Sequence, residues 1–259
     1  MSTPNAQDID IVELAVEQLR DYDAHRPGSI FERYGLHLTI TVAYTLQFEV
    51  ARLRQARGER VVGYKVGCAS PTMQAQLGIS EPVFGHIFET ELHTSGVTLM
   101  AESYDCLALE GEFAVRTDGD AESTTSGFPV LELHNYVVRR PPLSAQELIA
   151  NNAIHAGVVL PVDECKISRT PAELLDEPIS VALNGEIAGK TTGRALPEGL
   201  LGSVRRLKRH LNRFGRQLLP HQIVLTGSPL PLCRVQPGDC FEVRSESFQT
   251  INAFIAKGH

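Results

Sequence analysis

Two glutamates stand one residue apart inside an apolar run, Leu107-Ala108-Leu109-Glu110-Gly111-Glu112-Phe113-Ala114-Val115. A strand sends alternate side chains to the same face, so Glu110 and Glu112 point the same way. Two like charges on one half-buried face repel each other and lose hydration. A hard divalent cation relieves both problems, because carboxylate oxygens are its preferred ligands. A third carboxylate, Glu132, lies in a similar run, Phe128-Pro129-Val130-Leu131-Glu132-Leu133. Together the three predict a Mg²⁺ or Mn²⁺ site. The competing reading is a solvated face of an antiparallel sheet, where Glu at i and i+2 is common.

Other residues carry weaker signals of the same chemistry. Lys65 sits mid-strand between Gly63 and Gly67. Lysine is rare in buried strands, and flanking glycines admit a ligand or a second backbone. Burial would depress its pKa and suit it to acid–base work, unless it faces solvent on an edge strand. His134 follows Glu132 by two residues and shares its face, where it could orient a metal ligand. His86 and His155 lie in apolar surroundings, where histidines are more often structural. Thr226-Gly227-Ser228-Pro229 follows the strand Ile223-Val224-Leu225, and such a turn can offer N–H groups and hydroxyls to a carboxylate. It lacks the pattern of a phosphate loop, and a plain turn is the simpler reading. No nucleophile elbow, zinc-protease helix or dinucleotide fingerprint occurs.

The elements that must position these groups are readable in outline. Apolar residues at helical spacing predict a helix over 8–22. Pro27, Gly28, Ser29 and Gly35 predict a loop over 23–38. Thr39 can cap a second helix running to about Arg57, which Gly58 ends. From Arg60 the pattern changes to short strands: 61–67, 107–116, 129–138, 155–161, 178–184, 222–226, 239–244 and 249–256. A short helix follows Ser70-Pro71. Asn184-Gly185 marks a tight hairpin. One long helix, about 201–214, carries the basic residues Arg205, Arg206, Lys208, Arg209, His210 and Arg213, with Arg216 just beyond. These do not share a face and suggest a solvated surface or a subunit contact. The fold class expected is α+β: a helical N-terminal region over 1–59, then a mixed β-sandwich or roll over 60–259.

The bulk numbers bound the rest. The chain has 259 residues, 42% hydrophobic and 21% charged, as in an ordinary globular protein. A net charge of -7 argues against a nucleic-acid partner. No window approaches the roughly 18 to 20 apolar residues of a membrane span. The polar, acidic start does not read as a signal peptide, so a cytoplasmic location is expected. Cys68, Cys106, Cys165, Cys233 and Cys240 are widely spaced, which fits reduced thiols.

Several stretches occur in a telling order. They are Ala43-Tyr44-x-x-Gln47, Gly63-Tyr64-Lys65-Val66-Gly67 and Gln76-Leu77-Gly78-Ile79-Ser80-Glu81-Pro82-Val83-Phe84-Gly85. Glu110-Gly111-Glu112, Leu131-Glu132-Leu133, Asn184-Gly185-Glu186, Leu225-Thr226-Gly227-Ser228 and Pro237-Gly238-Asp239 follow. In this set the chain resembles the 2-keto-4-pentenoate hydratase and 4-oxalocrotonate decarboxylase group of the fumarylacetoacetate hydrolase superfamily. The resemblance implies Mg²⁺ or Mn²⁺ on Glu110, Glu112 and Glu132, with Lys65 as the acid–base residue. It also implies substrate contacts from Ser70, Leu77, Gly78, Phe84, His155, Thr226, Gly227 and Ser228. The substrate implied is a small 2-oxo or 2-hydroxydienoate acid from aromatic catabolism, and the assembly implied is a homo-oligomer. Hydratase activity leads. Decarboxylation, carbon–carbon bond hydrolysis with His155 or His86 as base, and a catalytically inactive 2-oxo-acid binder are the alternatives. The departures fall in the pocket. Val83 stands where hydratases carry Asp and decarboxylases an apolar residue. Leu133-His134-Asn135-Tyr136-Val137 replaces a Val-Asp-Ser-Arg-like stretch, and Asn151-Asn152-Ala153-Ile154-His155 replaces Asp-Asn-Ala-Ser-Ser. The segment between Glu112 and Glu132 is shorter than usual.

Overall fold

The computed structural model describes residues 10–118, 126–137, 139, 142–163 and 169–257. Helix α1 (Ile11–Asp23) starts where the Asp10 carboxylate accepts hydrogen bonds from the Val12 and Glu13 amides. It buries Leu14, Ala15 and Gln18, one face at helical spacing. The stretch expected to be loop holds a further helix, α2 (Ser29–Tyr34), between left-handed Gly28 and Gly35. Six residues are too few to be helical alone. Burial of Ile30 and Phe31 stabilises this turn of helix, which no local periodicity announces. Helix α3 (Ile40–Ala56) begins as expected, with the Thr39 hydroxyl accepting from the Val42 amide.

Among the described residues thirteen strands build two sheets. They are β1 (Val61–Gly67), β2 (Val83–Phe88), β3 (Leu92–Thr94), β4 (Val97–Met100), β5 (Leu107–Asp118), β6 (Ser126–Asn135) and β7 (His155–Leu160). Then come β8 (Pro178–Leu183), β9 (Glu186–Thr192), β10 (Pro220–Leu225), β11 (Cys233–Arg234), β12 (Cys240–Ser245) and β13 (Ile251–Ala256). The larger sheet runs β2-β1-β10-β5-β6-β7-β3, with β11 also on β5. The smaller runs β4-β13-β12-β8-β9. Pairs β1/β10, β3/β7 and β4/β13 are parallel, so the sheets are mixed, as the expected α+β class requires. The hairpin between β8 and β9 turns on Asn184 and Gly185, both at positive φ. The sheets meet at Gly111, where an added Cβ would lie 2.5 Å from Val181 Cγ1. That close approach explains the glycine between the two glutamates: its face of β5 lies against the second sheet. Among the described residues no helix is long and apolar enough to cross a membrane. Cys68, Cys106, Cys233 and Cys240 are free, and Cys165 lies outside the described residues.

Short helices α4 (Pro71–Gln76) and α5 (Ala145–Ala150) precede the long α6 (Gly199–Arg213). The basic residues of α6 are partly at the surface, as expected, and Arg213 pairs with Glu81 at 2.5 Å. His210 departs from that reading. It is buried, with its ring 4.2 Å from Tyr44 and 4.4 Å from Phe84. Burial, helped by Arg213, lowers its pKa to about 4. The unfolded chain takes up this proton near pH 6.5, while the folded chain resists until about pH 4. Stability is therefore full above pH 6.5 and falls as the pH drops towards 4. His210→Phe should lessen the loss at pH 5 by about 2 kcal/mol. Urea unfolding at pH 7.5 and pH 5 checks this; an equal loss in both proteins would reject it.

Candidate functional site

Antiparallel pairing sets the site. Glu110 on β5 stands directly opposite Glu132 on β6, and Glu112 stands opposite Val130. Opposed residues share a face, so all three glutamates and His134 project from one side. Lys65 reaches the same group from β1, its Nζ 3.1 Å from Glu132 Oε1. His155 Nδ1 lies 2.7 Å from that same oxygen. His134 Nε2 lies 3.2 Å from Glu132 Oε2 and 3.4 Å from Glu110 Oε2, without a hydrogen bond of good geometry. Glu110, Glu132 and His134 each offer an atom within 4.8 Å of the others. Glu112 lies beside them, its Oε2 accepting from the Gly227 amide at 2.6 Å and its Oε1 buried without a partner.

The charges in this group constrain one another. Burial raises the Glu112 carboxyl, and the neighbouring Glu132 and Glu110 raise it further, well above the carboxylate range. Burial also opposes ionisation of Glu132, but His134, Lys65 and the bond from His155 outweigh it and hold that carboxyl low. For Lys65 burial acts to lower the pKa, yet Glu132, Glu110 and Glu112 prevail and raise it. Burial alone predicts a depressed lysine; the surrounding carboxylates reverse the sign. Burial likewise acts to lower His134, but Glu132 and Glu110 prevail and raise it. Three acidic side chains crowd Lys65 and His134, and a buried Glu112 oxygen and the His134 ring lack hydrogen bonds of good geometry, which suits a divalent cation.

The remaining residues sort by place. Gly67 is small because an added Cβ would meet Lys65 Nζ and Val83 Cγ2, each at 3.2 Å. Val83 thus flanks the lysine with an apolar group. The Thr226-Gly227-Ser228 turn does offer an N–H to a carboxylate, but that carboxylate is Glu112. Its hydroxyls are committed to the backbone: Thr226 Oγ1 donates to Phe113 O and Ser228 Oγ to Gly111 O, each at 2.8 Å. Ser70 caps α4 by accepting from the Met73 amide, and Leu77 and Gly78 close that helix. Phe84 packs on His210 and the aromatic core, and does not join the carboxylates. His86 alternates away from Lys65 on the paired strands β1 and β2, among Phe48, Tyr64 and Phe88. His155 stands behind Glu132 and borders a cavity of about 470 Å³ lined also by Tyr22, Arg54 and Glu91.

No family model matches the chain. It is 29% identical over 217 residues, 79% of its length and 80% of the relative's, to 2-keto-4-pentenoate hydratase from Paraburkholderia xenovorans. It superposes with TM-score 0.84 on 4-oxalocrotonate decarboxylase from Pseudomonas putida complexed with magnesium and adipate. That match has 21% identity and covers 98% of this chain and 100% of the other. Fumarylpyruvate hydrolase from Pseudomonas aeruginosa in complex with Mn²⁺ and pyruvate gives TM-score 0.53 at 15% identity, over 75% and 89% of the two chains. The fold is therefore that of the fumarylacetoacetate hydrolase superfamily. Within it, the resemblance to the 2-keto-4-pentenoate hydratase and 4-oxalocrotonate decarboxylase group is borne out, by sequence for the hydratases and by fold for the decarboxylase.

Proposed function

We propose that this chain is a divalent-metal-dependent lyase that hydrates a 2-hydroxy-2,4-dienoate of the 2-keto-4-pentenoate type, in the breakdown of aromatic compounds. The observation that carries this is the convergence of Glu110, Glu112 and Glu132 on one buried face with Lys65 Nζ 3.1 Å from Glu132. The three glutamates would hold Mg²⁺ or Mn²⁺. Such an ion supplies positive charge that fixes the acid's carboxylate and favours negative charge on the C2 oxygen. Lys65 would deliver a proton to the carbon skeleton and recover the one the dienol hydroxyl releases on becoming a ketone; water then adds its own hydroxyl and hydrogen across the alkene. His155 fixes Glu132 by the bond to its Oε1, and the Gly227 amide fixes Glu112. Glu110 is the carboxylate most open to solvent, with 19% of its side chain accessible, so substrate enters on its side. A cytoplasmic homo-oligomer suits such an enzyme.

A decarboxylase of 4-oxalocrotonate type is the second reading, favoured by Val83. An apolar neighbour beside Lys65 offers no second proton-transfer group for handling water. Carbon–carbon bond hydrolysis needs a free base. His86 lies on the far side of its strand, and His155 is bonded to Glu132.

Incubation with Mg²⁺ or Mn²⁺ and either 2-hydroxypenta-2,4-dienoate or 4-oxalocrotonate, following dienol absorbance, tests the proposal. Consumption of the first supports hydration, and of the second alone, decarboxylation. No turnover of either with metal bound would leave a 2-oxo-acid-binding protein. Glu110→Ala should abolish metal binding and turnover while the circular dichroism spectrum is kept. Full activity in that variant would remove the central idea.

A further inference from the structure

We infer that His134 is itself a ligand of the cation, so that the site is a mixed nitrogen–oxygen site selecting a first-row transition ion over Mg²⁺. The inference rests on the proposed metal-dependent reading and names the ion class that reading leaves open. Four observations carry it. First, His134 Nε2 is directed at the free oxygens of two glutamates, 3.4 Å from Glu110 Oε2 and 3.2 Å from Glu132 Oε2. Second, the ring is buried, its Nδ1 has no hydrogen-bond partner, and its Nε2 meets the two carboxylates without a hydrogen bond of good geometry. Leaving a buried polar group without a good partner is costly, and ligation would offset that cost. Third, Glu132 Oε1 is already engaged by His155 and Lys65, so Oε2 is the oxygen Glu132 presents beside the imidazole. Fourth, His134 stands opposite Ala108 on β5 and His155 on β7, two residues from Glu132, so its ring leaves β6 on the glutamates' face.

An imidazole changes what the site prefers. Mg²⁺ takes oxygen ligands and gives up its waters reluctantly. Imidazole nitrogen suits Zn²⁺, Fe²⁺ and their neighbours, whose affinities rise along the first row. Glu110, Glu132 and His134 together make a two-carboxylate, one-imidazole set, with Glu112 Oε1 the further oxygen at its side. A ring that merely hydrogen-bonded the glutamates would not produce this selectivity.

The test uses the full chain, stripped with chelator and reloaded with one ion at a time. In the Mn²⁺-loaded protein, pulsed electron paramagnetic resonance should detect a directly bound ¹⁴N, and His134→Gln should abolish that signal. Calorimetry should find Co²⁺ at least ~10²-fold tighter than Mg²⁺ in the wild type, with the ratio falling about 10-fold in His134→Gln. Bound Mn²⁺ with no nitrogen coupling overturns the inference and leaves the lyase reading standing. So does a nitrogen signal that survives in His134→Gln. Failure of the folded wild type to bind any of the three ions overturns the lyase reading itself. If His134→Gln fails to fold, His155→Gln assigns the nitrogen: a signal kept in that variant supports His134 as the ligand, and a signal lost there overturns it.

Discussion

Glu132→Ala should abolish both ion binding and turnover, and should lower folding stability by about 3–5 kcal/mol, the usual loss when one member of a buried ion pair is removed. No other side chain of the site meets so many partners. Its Oε1 lies 3.1 Å from the Lys65 ammonium and 2.7 Å from His155 Nδ1, and its Oε2 lies 3.2 Å from His134 Nε2. Truncation leaves the Lys65 ammonium buried without its nearest countercharge and His155 without its hydrogen-bond partner. Glu132→Gln separates the two effects, because it keeps shape and an acceptor oxygen while removing charge. It should recover part of the stability and none of the ion affinity. Urea unfolding gives the first quantity and calorimetric titration with Mn²⁺ the second. Wild-type ion affinity in either variant would show that the carboxylates do not form a common coordination sphere.

The glutamates and the lysine were legible because strand alternation is a property of consecutive residues. Glu110-Gly111-Glu112 and Gly63-Tyr64-Lys65 declare their faces without knowledge of the fold. His134 was only half legible. Its face followed from Glu132, but its approach to Glu110 depends on the register that sets Glu110 opposite Glu132, and neither strand encodes that alone. Strands β3 and β4 have three and four residues, too few for a period to show, and each pairs in parallel with a distant strand. The Tyr44 and Gln47 pair was recognisable as a motif while its purpose was not. Gln47 Nε2 donates to Phe84 O and Ile149 O, and Tyr44 Oη accepts from the Phe84 amide, so α3 ties down the strand that carries Val83. Asn152 is similar: its side chain accepts from the His86 amide and donates to His86 O, standing in for a strand partner. Asn152, Ala153 and Ile154 all have positive φ, a strained run that no propensity predicts for Ile. The direction of the Lys65 pKa shift is hidden for the same reason, since it depends on three carboxylates brought in from other strands.

That reversal fixes what Lys65→Met should do. With burial outweighed by Glu132, Glu110 and Glu112, the lysine is a held ammonium and a local positive charge, and it is the donor in the proposed reaction. Methionine keeps the length and apolar stem beside Val83 and Gly67 but can donate nothing. Turnover should fall by about 10²–10⁴-fold, the scale of a lost acid–base group. Ion affinity should hold or tighten, because a positive charge that repels the ion has left. That combination distinguishes Lys65 from the glutamates, whose loss should remove ion and activity together. Lys65→Arg should not rescue turnover although it keeps the charge. The planar guanidinium is bulkier, and its fork cannot reproduce a compact ammonium 3.1 Å from Glu132 Oε1. Steady-state rates and Mn²⁺ titrations on both variants provide the check. Wild-type turnover in Lys65→Met would reduce the lysine to a countercharge for Glu132 and leave the proton transfer without a donor on this face.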